Sequence, residues 1–151
     1  SFVNHLYMNE KQWGIQTAHA VSTMAVSLHM TAAMKRAYKT WAVEEPTIIM
    51  CQGGNVAMLT ELHDRLRYLA AQLGLAEVKF HEDEQSLGGV ITCVAVLVPE
   101  IYFDCAIENE PLPDGTRAVV FVNEATGKRY RQATNPVEHE FLSIVKLARL
   151  A

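Results

Sequence analysis

The stretch NVAMLTELHDRLRYLAAQLGLAEVKF, residues 55–80, decides the fold. Leu59, Leu62, Leu66, Leu69 and Leu73 recur at spacings of 3, 4, 3 and 4, which lines one helical face with leucine. Asn55, just after Gln52-Gly53-Gly54, is the candidate N-cap, and Gly74 the residue expected to close the helix in a left-handed conformation. Glu61 and Arg65 form an i,i+4 pair on the solvent side. EVKF (77–80) follows at once as a short strand, HEDEQSLGG (81–89) as a polar loop, and VITCVAVLV (90–98) as a β-branched run that reads as a central, fully covered strand.

Upstream, Pro46 introduces TIIMC (47–51), read as a buried strand leading into a turn at Gln52–Asn55. Thr31 is a candidate N-cap for a helix at AAMKRAYKTW (32–41). GIQTAHAVSTMAVSLHM (14–30) spaces Ile15, Ala18, Val21, Ala25 and Leu28 as a helix face. The opening FVNHLYM (2–8) has strand composition, and its place at the first residues suggests a trimmed or tagged terminus. Downstream of Pro99, the residues Pro111, Pro113 and Gly115 mark an irregular link. RAVVFV (117–122) and KRYRQA (128–133) flank a Gly-containing turn at 123–127, the pattern of a hairpin. Pro136 opens a last helix (137–147) expected to turn Phe141, Leu142, Val145 and Leu147 inward. The order implies one α/β domain over 1–151, three layers deep, with a β-hairpin insertion at about 100–135.

Composition bounds the function. Half of the 151 residues are hydrophobic and 20% are charged, which excludes a disordered chain, and no apolar run reaches the roughly 20 residues that span a bilayer. Cys51, Cys93 and Cys105 form no C-x-x-C pair and read as buried reduced thiols in a cytoplasmic protein. The net charge of −4 is unevenly spread: residues 1–76 balance to +1, 77–114 to −8 and 115–151 to +3. The total argues against a wholly nucleic-acid-covered surface, but leaves a local footprint open.

Three stretches carry chemistry. In QWGIQTAHAV (12–21), Gln16 and His19 stand at i and i+3, joining an amide that donates and accepts to a ring that exchanges protons near neutral pH. His81-Glu82-Asp83-Glu84-Gln85-Ser86 places acids where a strand delivers its end to a loop. Lys35, Arg36 and Lys39, with Arg65 and Arg67, form a modest basic patch. No phosphate-loop, dinucleotide, nucleophile-elbow or zincin motif occurs, and the six histidines show no metal-ligand spacing, so neither a cofactor nor a metal is expected.

Taken in order, the first strand, the Gln16-x-x-His19-Ala20 helix, Lys39-Thr40-Trp41 before a Pro-led strand, the helix ending Leu73-Gly74-Leu75, and the acidic loop before Gly89-Val90-Ile91-Thr92-Cys93-Val94 resemble the type II peptidyl-tRNA hydrolase family, in a divergent form. The similarity covers about residues 2–99, and Lys146-Leu147-Ala148-Arg149-Leu150 resembles the family's C-terminal helix and tail. The family's lysine-rich loop is here Asn9-Glu10-Lys11-Gln12-Trp13-Gly14, with its last lysine aligned to Gln12, or to Lys11 if the loop shifts by one. Its Asp-Ala-Gly segment becomes His81–Ser86, which leaves Asp83, Glu82 and His81 as alternatives for the acidic position.

The resemblance implies a mixed four-stranded sheet with helices on both faces, a homodimer, and hydrolysis of the ester joining a peptide to the 3′ ribose of tRNA, without metal or cofactor. Lys11, Gln16, His19 and Asp83 are the implied catalytic residues, and Glu82, Ser86, Thr92, Lys35, Arg36 and Lys39 the implied substrate contacts. The partner is peptidyl-tRNA, with neither DNA nor membrane expected. A non-catalytic tRNA- or protein-binding module using 100–135, and a small-molecule hydrolase, are the alternatives.

Overall fold

A computed structural model of the chain describes residues 1–5, 9–44, 46–100, 102, 105–123, 125–132 and 136–148. It divides into two compact units, Ser1–Leu97 with Ala148, and Val98–Leu147. The first unit runs β1 (Phe2–Asn4), α1 (Glu10–Val26), α2 (Ala32–Glu44), β2 (Cys51–Gly54), α3 (Val56–Leu73), β3 (Glu77–His81), the single turn α4 (Glu84–Leu87) and β4 (Ile91–Val96). Its strands form one sheet in the order β2-β1-β4-β3. β1 pairs parallel with β2 and antiparallel with β4, and β3 pairs antiparallel with β4, so this α/β unit has a mixed four-stranded sheet.

The leucine helix forms as its spacing requires. Asn55 accepts the Met58 N–H at 2.9 Å, Gly74 ends α3 at φ 67°, and Leu59, Leu66 and Leu69 are buried. His63, on the same buried side, donates through Nδ1 to Glu77 Oε1 at 2.7 Å and ties α3 to β3. β4 lies inside the sheet, and Ile91 to Ala95 are all buried, which explains the run without alternation.

Three sequence expectations shift. The second strand is Cys51–Gly54, not 47–51. Gly53 makes this possible: a Cβ there would stand 2.6 Å from Leu59 Cδ1 and 2.9 Å from the Val3 carbonyl, so the glycines read as a turn are a strand pressed between β1 and α3. α1 begins at Glu10 because Asn9 and Gln12 form a reciprocal capping box, and stops at Val26, where Ser27 is extended. The helix is also rotated from its apolar stripe. Gln16, Thr17, Ala20 and Met24 face inward, while Ile15 is 53% exposed; Leu28, past the end of α1, is 94% exposed. Ala20 and Met24 pack with Met30, Val3, Val78, Cys93 and Ala95. α2 buries no residue fully; Thr31 accepts the Met34 N–H at 3.2 Å, and Tyr38 donates to the Val21 carbonyl of α1 at 3.2 Å.

In the second unit, β5 (Cys105–Pro111), β6 (Arg117–Asn123) and β7 (Arg129–Gln132) form an antiparallel sheet in that order, followed by α5 (Pro136–Leu147). The sequence pattern places β5 in an irregular link. It is an edge strand with Pro111 as its last residue, a place where a proline removes no ladder donor. Asn123 Oδ1 accepts from the Ala125 and Thr126 N–H groups and shapes the β6–β7 turn. Phe121, Phe141 and Leu142 are buried, and Tyr102 stacks on Phe121 with ring centres 5.7 Å apart. The Tyr102 hydroxyl donates to Glu138 Oε1 at 2.7 Å; burial and this acceptor hold its phenol well above the ordinary value. Leu147, expected inside, is 80% exposed. Residues 6–8 of the opening run and Ala133 of the last strand pattern lie outside the described residues.

The glycines give a test with opposite signs. Gly53→Ala overpacks the β2–α3 contact and is expected to cost about 1–3 kcal/mol. Gly14→Ala, inside α1 with open space where the Cβ would go, is expected to stabilise by about 0.5–1 kcal/mol. Urea unfolding of both variants against wild type measures the difference.

Cys51 and Cys93 are free and buried, and the side chain of Cys105 lies outside the described residues. Burial pushes the Cys93 thiol up to about 11 from 9.0, and pushes Cys51 up as well. The unfolded chain therefore ionises first. Stability should be intact below pH 9 and fall as the pH rises from 9 towards 11, with a shallower slope in Cys93→Ala, read from urea midpoints.

Candidate functional site

β3 supplies the site through its period of two. Val78 and Phe80 point to the same side, Val78 lies in the core with Ala20 and Met24 of α1, and Phe80 packs against that cluster. Beyond the strand, Glu82 extends the same alternation and meets α1 at Gln16. One helical turn along, the His19 ring lies flat on Phe80, with ring centres 4.8 Å apart and planes inclined by 11°.

Gln16 is 5% exposed, and both ends of its amide are engaged. Its Nε2 donates to the Glu82 carboxylate, and its Oε1 accepts from Thr92 Oγ1 at 2.8 Å. The amide is thus oriented by chemistry, since its oxygen faces a hydroxyl and its nitrogen a carboxylate. Thr92 reaches Gln16 because the β3–β4 register passes from Phe80↔Cys93 to His81↔Ile91 and skips Thr92. A bulge of this kind re-aims a side chain that strict alternation would send elsewhere. The loop is closed behind Glu82, whose N–H donates to the Val90 carbonyl at 3.1 Å, while His81 Nδ1 donates to the Gly89 carbonyl at 2.9 Å.

Where β3 ends against α1, a half-buried carboxylate is held by Gln16 and an exposed imidazole, one turn along the helix, is held by Phe80. Such a pair can accept a proton from water or from a polar substrate and return it. Of the residues nominated from sequence, Gln16, His19, Glu82 and Thr92 come together, with Thr92 fully buried behind Gln16, where it orients the amide. Lys11 is exposed in the first turn of α1, about 140° around the helix from Gln16 by its five-residue separation. It borders an open recess with Asn9, Glu10 and Trp13. Asp83 is exposed, and its carbonyl accepts from the Gly89 N–H. Lys35, Arg36 and Lys39 are exposed along α2. Ser86 falls in α4, and its side chain lies outside the described residues.

The residue that sequence reasoning passed over is Phe80. Alternation in Glu77–Phe80 followed by an acid at 82 was the available signal, because it puts 78, 80 and 82 on one side. Among the described residues no cluster of His, Cys, Asp and Glu could hold a metal ion, and no helix is long and apolar enough to cross a membrane. No protein-family model, curated protein or solved structure gives a significant match to the chain.

Thr92→Val keeps the shape and removes the hydroxyl. The Gln16 carbonyl then loses its buried donor, and the expected cost is about 1–2 kcal/mol in urea unfolding. Thr92→Ser, which retains the donor, should recover most of the hydrogen-bond contribution.

Proposed function

We propose that the chain is a divergent hydrolase of the type II peptidyl-tRNA hydrolase kind, cleaving the ester between a peptide and the 3′ ribose of tRNA. The observation that carries this reading is the junction of Gln16, Glu82 and Thr92 beside the His19 ring, which brings the Gln-x-x-His helix and the acidic loop to one place. In this reading Glu82, not Asp83, holds the acidic position. Its carboxylate, steadied by Gln16, takes a proton from the attacking water, and His19 meets the ester or its leaving oxygen. Lys35, Arg36 and Lys39 meet the tRNA backbone, which predicts binding that weakens with salt.

The same reading completes the architecture as three layers, with α1 on the sheet face of Val3, Cys93 and Ala95 and α3 covering the other, and makes residues 100–135 an insertion into the family's fold. It also implies a cytoplasmic homodimer.

Release of peptide from a peptidyl-tRNA analogue by purified protein tests the activity. Glu82→Gln and His19→Ala are expected to lower kcat by about 100-fold or more, and Asp83→Asn by less than about threefold. Folded wild-type protein that releases no peptide would overturn the hydrolase reading. Retained salt-sensitive tRNA binding in that case would favour a binding module.

A further inference from the structure

Among the described residues His19 has no hydrogen bond to either ring nitrogen, although its backbone carbonyl accepts from Thr23 Oγ1 at 2.9 Å. The side chain is exposed on α1, and an exposed side chain with two rotatable bonds ordinarily samples several rotamers. Here one face of the imidazole is covered by Phe80, nearly parallel and in van der Waals stacking range. Phe80 itself cannot wander. Its backbone is held in β3 opposite Cys93, and its ring packs against the cluster of Val3, Ala20, Val78 and Cys93. The strand that fixes Phe80 leads two residues later to Glu82, which is fixed to Gln16 of the same helix as His19. Ring and carboxylate are therefore both positioned by the chain where β3 ends against α1.

We infer that Phe80 is a positioning residue: its ring is the plate that holds the His19 imidazole in one orientation, with the outer face and both nitrogens turned to the substrate. The inference deepens the hydrolase reading and rests on it for its kinetic consequence, but not for the stack itself. A filling role in the core would need only apolar volume at position 80. A plate needs an aromatic plane, and this difference separates the two.

The experiment compares wild type with Phe80→Leu, Phe80→Met and Phe80→Tyr. In NMR spectra the His19 ring protons, assigned by their loss in His19→Ala, are expected upfield in wild type and Phe80→Tyr, because they lie over an aromatic face. They should move to ordinary positions in Phe80→Leu and Phe80→Met. With a peptidyl-tRNA analogue, kcat should fall about tenfold in Leu and Met and KM stay within about twofold, with Tyr restoring kcat. Urea unfolding identifies any variant that fails to fold, and Met, flexible and close in size, covers failure of Leu. Unshifted His19 protons in wild type would overturn the inference, as would equal loss of kcat in folded Leu and Tyr variants. If wild type releases no peptide, the hydrolase reading falls, and the NMR comparison still decides whether Phe80 holds the ring.

Discussion

Gln16 carries a primary amide into the interior between α1 and the sheet, and a buried amide left unpaired costs more than its hydrogen bonds contribute when they are made. Satisfying it recruits two separate pieces of chain. Thr92 supplies a donor because a bulge in β4 turns its hydroxyl towards the helix, and Glu82 supplies an acceptor because the loop after β3 continues the strand's direction. Remove the amide, and neither the bulge nor the position of the acidic loop relative to α1 has an evident polar reason. The candidate site is in this sense a by-product of hydrogen-bond satisfaction: pairing Gln16 fixes the acidic loop to the helix that carries His19.

That arrangement depends on the side of α1 which faces the sheet. Apolar spacing alone would bury Ile15, Ala18, Val21, Ala25 and Leu28, yet the buried side is Gln16, Thr17, Ala20 and Met24. Small and medium side chains at Val3, Cys93 and Ala95 make the opposing surface, and Ala20 sits on it fully buried. Close approach of the helix at Ala20 carries Gln16 and Thr17, one turn earlier, into the interior with it. Hydrophobic patterning assigned too much weight to number of apolar residues and too little to the shape of the surface they must meet.

Elsewhere the sequence was more legible. The leucine repeat, its Asn55 cap and its Gly74 stop define α3, and the β-branched run defines β4, because in both cases many residues carry the same message. The start of α1 is also written in the chain, as Asn9 and Gln12 three residues apart, a capping-box signal inside a loop-like polar stretch. β2 was not legible in the same way: Gly53 and Gly54 signal a turn locally, and only the approach of Val3 and Leu59 explains a glycine within a strand. β5 was obscured by its proline and its charged residues, which an edge strand tolerates.

By itself, the sequence determined the elements whose evidence is local: the long α3, the buried β4, the turn of the β6–β7 pair and the candidate pair Gln16 and His19. Tertiary structure alone decided that Glu82 is the acid joined to Gln16, that Thr92 stands behind the amide, and that Phe80 lies under His19. The physical reason is separation along the chain. Helix caps and periodicities act over a few residues, whereas Gln16 meets Glu82 and Thr92 across 66 and 76 positions. Which of several similar side chains makes such a contact is set by strand register and helix rotation, and both are outcomes of packing.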